Sequence, residues 1–140
     1  MKMEVYLSED VLESFSALRL LLVDSNTDGI LIGHKRGHMF FVERILPSQR
    51  SFFSSEEKFL SLNKQLDHRI LGFYSFTTGQ RKIKKILAPF AYGKLFLHMA
   101  IDKKGRLEIK PFVIEYEKDF HLSPIKFRSD RQRTDRWLIP

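Results

Sequence analysis

Histidine is the first residue type to weigh in this chain, because five occur and no cysteine does. Without cysteine there is no disulfide, no thiolate nucleophile and no zinc-finger ligand set. His34 and His38 stand four apart, a spacing that on a helix would aim two imidazoles at one metal ion. Lys35-Arg36-Gly37 lies between them, so the pair is expected to flank a solvated hairpin turn. His68 and His98 have no obvious partner in sequence, and His98, inside an apolar run, reads as a core histidine satisfied by a hydrogen bond. No G-x-S-x-G frames a serine and no glycine-rich phosphate loop occurs, which leaves neither a nucleophile elbow nor a nucleotide cradle.

Two basic clusters have the chemistry for phosphate: Arg81, Lys82, Lys84 and Lys85, and then Lys126, Arg128, Arg131, Arg133 and Arg136. The formal charge of +7 and pI near 9.7 agree with an anionic partner, nucleic acid or an acidic protein, although no nucleic-acid module motif accompanies them. Phe52-Phe53, in a polar stretch, would make a natural anchor for a protein partner.

Positioning these residues falls to alternating strands and two amphipathic helices. A chain of 140 residues fits one domain with a sizeable core. Met3 to Leu7 alternates as a strand, and Ser8 caps a helix whose Glu9 and Asp10 suit the positive end of its dipole. Val11, Leu12, Phe15, Leu18 and Leu22 give that helix one apolar stripe. Residues 24–29 read as a loop, Ile30 to Ile32 as a buried strand, His34 to Gly37 as a turn, and Met39 to Leu46 as a returning strand. Ser54-Ser-Glu-Glu57 is a capping box ahead of Phe59, Leu62 and Leu66. Ile70 to Phe76 is a strand, Arg81 to Leu87 a basic helical turn, and Leu95 to Ile101 with Leu107 to Tyr116 a hairpin about Asp102-Lys-Lys-Gly105. After Pro124 a basic, poorly packed tail is expected. Glu4, Glu9, Asp10 and Glu13 interrupt any signal-peptide character, and the longest apolar run is too short to span a bilayer.

Four segments in this order resemble the JAMM/MPN (Mov34-like) domain family, the fold of zinc-dependent deubiquitinating proteases. Val5-Tyr-Leu-Ser8 with the helix after it is similar to the family's first strand and helix. Gly29-Ile-Leu-Ile-Gly33 resembles its G-x-L-x-G strand, Phe41 to Pro47 the next strand, and Leu71-Gly-Phe-Tyr74 the V-G-W-Y strand that leads into the catalytic loop. The resemblance covers roughly residues 3 to 117. It implies a mixed α/β fold, a central mixed β-sheet flanked by helices, of JAMM/MPN-like (cytidine deaminase-like) architecture.

The resemblance also locates a degenerate groove. The family's two zinc histidines fall on Ser75 and Thr77, its serine near Lys85, its aspartate near Ala88 and its general-base glutamate on Asn26, with Tyr74 just ahead of the loop. No histidine lies between His68 and His98, so no shift of register supplies the metal ligands that such chemistry needs. The resemblance therefore implies a non-catalytic domain without metal or other cofactor, over residues 1–122, with a basic tail over 123–140. It is expected in the cytoplasm, off the membrane, associating with a protein partner, a second copy of the chain included. A nucleic-acid or acidic-partner module using Arg81–Lys85, Arg128, Arg131 and Arg133 is the alternative. A metal-free enzyme around Tyr74, Ser75 and Thr77 is the second alternative.

Overall fold

The computed structural model describes residues 3–21, 28–48, 56–76 and 86–128. Strand β1 (Glu4–Leu7) buries Val5 and Leu7 and turns Tyr6 to the other face, as its alternation predicts. Ser8 then caps α1 (Glu9–Leu21), its Oγ accepting the Val11 N–H at 3.2 Å. Of the expected stripe, Val11 and Phe15 are buried, with Leu12 and Leu18 packed beside them; Leu22 lies outside the described residues.

β2 (Asp28–Arg36) and β3 (Met39–Ser48) form a long hairpin, and here two sequence expectations need correction. The strand begins at Asp28, within the expected loop, and His34-Lys35-Arg36 continue it rather than turning. Those three side chains are exposed, so their charge costs nothing in a strand and gives a misleading loop signal. The turn itself is Gly37-His38, where Gly37 takes φ 57°, a left-handed conformation that glycine adopts freely. α2 (Glu56–Gln65) buries Phe59 and is tied to the next strand by the Asn63 side chain, whose Oδ1 accepts the Ile70 N–H at 3.2 Å.

β4 (Ile70–Ser75) is buried along its length. After a single 3-10 turn at Pro89–Ala91 come β5 (Leu95–Ile101) and β6 (Leu107–Tyr116), with the bounds that the apolar pattern predicts. Asp102 locks their turn by accepting from the backbone N–H groups of Lys104 and Arg106, both at 2.9 Å, and from Arg106 Nε at 2.8 Å. Those bonds, the Arg106 backbone N–H foremost, hold the Asp102 carboxyl below its usual range.

Two more strands follow, β7 (Phe120–Pro124) and β8 (Lys126–Phe127), and the second lies where a poorly packed tail was expected; residues 129–140 of that tail lie outside the described residues. The expected division between residues 122 and 123 falls inside β7. The eight strands form one mixed sheet in the order β7-β6-β5-β4-β2-β3-β1-β8. β7 and β8 are therefore neighbours in the chain yet stand at opposite ends of that order. The segment pairs with β6 through its first half and with β1 through its second, and Ile125 alone lies between. The Ile125 N–H still bonds Pro111 O on β6, while the Arg128 N–H bonds Val5 O on β1. The sheet is thus curled until its ends nearly meet, and a cleft of about 260 Å³ follows the seam between Met3, Val113, Glu115 and Ile125.

Each face of the sheet carries its own apolar cluster. One gathers α1 with Val5, Phe40, Tyr74, Leu97 and Val113; the other gathers α2 with Ile30, Phe73, Phe96 and Ile114. Among the described residues, no helix is long and apolar enough to cross a membrane.

Candidate functional site

The end of β4, where the sequence resemblance places a groove, carries a row of polar residues. Asp28 on β2 is the register partner of Ser75 on β4, Ser75 of His98 on β5, and His98 of Lys110 on β6. Alternation from Ile30, Phe73 and Phe96 puts Asp28, Ser75 and His98 on the face that α2 covers. Ser75 donates its hydroxyl proton to Asp28 Oδ1 at 2.7 Å, and the two residues are only 1% and 3% exposed. A bond this short to a buried carboxylate belongs to the strong, charge-assisted class.

The two neighbours of this pair are less well satisfied. Among the described residues, Tyr74 Oη and His98 Nε2 are buried without a hydrogen-bond partner. For His98 this corrects the expectation of a satisfied core histidine. Its ring lies nearly parallel to Phe96, 6.5 Å between centroids, and the hydroxyl opposite it in register is given to Asp28. Tyr74 points to the α1 face, edge-on to Phe15 at 5.1 Å. Burial first, and the Asp28 charge second, push its phenol above the usual value, so it stays protonated.

Two glycines from the quoted motifs make this packing feasible. A Cβ on Gly29 would collide with the Tyr74 ring and stand 2.5 Å from Leu46 O. On Gly72 it would strike the Leu95 carbonyl, so β4 and β5 approach closely only because that side chain is missing.

Of the residues singled out from sequence, Tyr74 and Ser75 belong to the core, and neither presents its polar atom to solvent. Ala88 precedes the 3-10 turn and accepts the Ala91 N–H at 3.0 Å; it brings no polar side chain to the row. Asn26, Phe52, Phe53, Thr77, Arg81, Lys82, Lys84, Lys85, Arg131, Arg133 and Arg136 lie outside the described residues. Arg128 is exposed at the seam, beside β1. Sequence reasoning missed Asp28 as the partner of Ser75, although a small shift of the glutamate position along the chain would reach it. It also missed His98 as the third member, since nothing local to residue 98 signals which strands flank it. Among the described residues, no three His, Asp or Glu side chains gather in a way that would hold a metal ion.

No protein-family model and no curated protein matches the chain. Solved structures do. One is the solution structure of a Desulfitobacterium hafniense protein, 16% identical, with a TM-score of 0.59 over 91% of this chain and 97% of that one. Another is the solution structure of a Salinibacter ruber protein, 12% identical, with a TM-score of 0.56 over 94% of each chain. At that identity the likeness concerns the fold alone, and it extends over nearly the whole of all three chains: a mixed α/β sheet with two helices.

Proposed function

We propose that this protein is a non-catalytic JAMM/MPN-like domain that works by associating with a protein partner. The observation that carries the reading is Ser75. At the place where the resemblance puts a zinc histidine, this chain has a hydroxyl that is 1% exposed and committed to Asp28. A neutral hydroxyl is a weak zinc ligand, and here its lone pairs sit against a carboxylate that its own proton already engages. The residues present do not fit the metal.

For the partner, exposed aromatic rings supply the chemistry. Tyr92 and Tyr116 are 61% and 53% exposed, and the Tyr116 ring stands 4.8 Å from Phe120. The Gly93 N–H donates to Ile114 O and the Ile114 N–H to Lys94 O, which brings Tyr92 and Tyr116 to the same end of the sheet. Large rings of this kind are typical interface anchors.

Sedimentation of the full chain over a wide concentration range tests the association. A concentration-dependent dimer that Tyr92→Arg with Tyr116→Arg disperses is the expected result; a monomer throughout removes the second copy as the partner. Stoichiometric zinc in the purified protein, together with isopeptidase activity that a chelator abolishes, would overturn the non-catalytic reading.

A further inference from the structure

The open face of β1 and β3 carries a surface that the association reading does not use. Val5, Leu7, Phe40, Val42 and Phe127 point to the α1 side of the sheet. Alternation therefore sends Glu4, Tyr6, Met39, Phe41, Lys126 and Arg128 to the other side. The helix on that side, α2, packs with residues of β2, β4, β5 and β6, and Tyr6 remains 39% exposed.

The rings on this face form a line. Tyr6 and His34 are both register partners of Phe41, on β1 and β2 respectively. Tyr6 and Phe41 lie 6.1 Å apart between centroids, and His34 stacks on Phe41 at 5.0 Å with 16° between planes. His34 is held there by Glu43 Oε1 at 2.7 Å, and Arg69 Nη2 meets the same oxygen at 3.1 Å, so that carboxylate is already neutralised.

Exposed cations bracket the line. Arg36 pairs with Met39, and Lys126 pairs with Glu4, in the adjoining row. The Arg128 N–H bonds Val5 O, which sets Arg128 beside Tyr6 at the end of the aromatic line. Rings on adjacent strands with cations at both ends match unpaired bases joined by phosphates, because every base has a face to stack and every linkage a negative charge. A duplex offers no free base face. Lys126 stands opposite Glu4, but Arg36 stands opposite Met39 and Arg128 beside Tyr6, and an aliphatic protein partner would bring these two arginines no counter-charge.

We infer that the outer face of β8, β1, β3 and β2 binds single-stranded nucleic acid, with bases on Tyr6, Phe41 and His34 and phosphates on Arg36, Lys126 and Arg128. The inference goes beyond the association reading and uses none of its residues.

Fluorescence anisotropy of the full chain with labelled oligo-dT and oligo-U of about 15 nucleotides, against the matching duplex, tests it. Single strands bind and the duplex binds more weakly. Tyr6→Ala weakens binding about 5- to 160-fold, the range for loss of one stacked base. Three phosphate contacts give a salt slope of about −2, so affinity falls about 20-fold between about 50 and 200 mM salt. Arg36→Glu with Arg128→Glu, both on exposed positions remote from the core, gives a second reading independent of any packing change at Tyr6. Ile101→Ala, an exposed apolar position at the end of β5 that neither reading uses, leaves binding unchanged. The inference is overturned by no binding at low salt, by equal affinity for duplex, or by binding indifferent to both the Tyr6 and arginine changes. It is equally overturned if Tyr6→Ala leaves oligonucleotide binding intact and instead disperses a dimer of the chain, which would make this face a protein contact.

Discussion

Removing the Ser75 hydroxyl should destabilise the fold by an amount that depends on the charge of Asp28. In Ser75→Ala the carboxylate loses a donor at 2.7 Å in a place where Asp28 is 3% exposed, so bulk water has no easy access to replace it. Hydrogen bonds to charged groups contribute about 1.5–3 kcal/mol, against about 1 kcal/mol between neutral ones. The same substitution in an Asp28→Asn background, where an amide oxygen still accepts, should therefore cost about 1 kcal/mol. The resulting coupling is about 0.5–2 kcal/mol. For 140 residues the unfolding entropy corresponds to about 3.4 °C per kcal/mol, which places Ser75→Ala about 5–10 °C below the parent in Tm. Urea unfolding followed by far-UV circular dichroism, on the parent, both single variants and the double, closes the cycle. A Ser75→Ala cost below about 0.5 kcal/mol, the range of an ordinary surface change, would refute the reasoning. So would equal costs in the two backgrounds, since the bond would then owe nothing to the carboxylate.

Two neighbouring groups give further expected outcomes. Tyr74→Phe removes a buried hydroxyl without a partner among the described residues and should raise stability by about 1 kcal/mol; a loss measured by the same unfolding assay would show that the hydroxyl is bonded after all. Asp102, held below its usual range by the Arg106 backbone N–H, contributes stability that is present above the unfolded carboxylate value and lost as pH falls through the folded one. Asp102→Asn should therefore lie below the parent in Tm at neutral pH and converge with it in acid, and a gap that does not change with pH would reject that account.

Local pattern carried the sequence reading a long way. Ser8 announces α1 because a cap acts within one turn, and the β5–β6 hairpin is legible because alternation and the Asp102–Gly105 turn are both short-range. Reading failed where the cause was distant or the environment unusual. His34-Lys35-Arg36 look like a loop because their strand faces solvent, and a solvated strand imposes no apolar pattern. β8 has two residues and exists only because β1 offers it a partner from the opposite end of the chain. The left-handed Asp67 and His68 that lead from α2 to β4 carry no glycine to mark them. The polar row at β4 is the same problem at the level of a site. Asp28 and Ser75 are 47 residues apart and His98 joins them only through the register of a third strand, which no spacing rule encodes.

The seam made by Phe120 to Arg128 has a consequence for how the chain is made. β1 is flanked by β3 and by β8, so it finds its second neighbour only after every other strand of the sheet has been made. Until then β1 and β6 both expose unpaired backbone, the template on which chains add to one another. Pairings of such long range are slow to form, because loop closure must precede the contacts that reward it. Synthesis therefore passes through a window of aggregation risk that ends when a nine-residue segment laces the two borders together. Shortening the chain before Ile125 would leave that window permanently open, even though neither apolar cluster would lose a fully buried member.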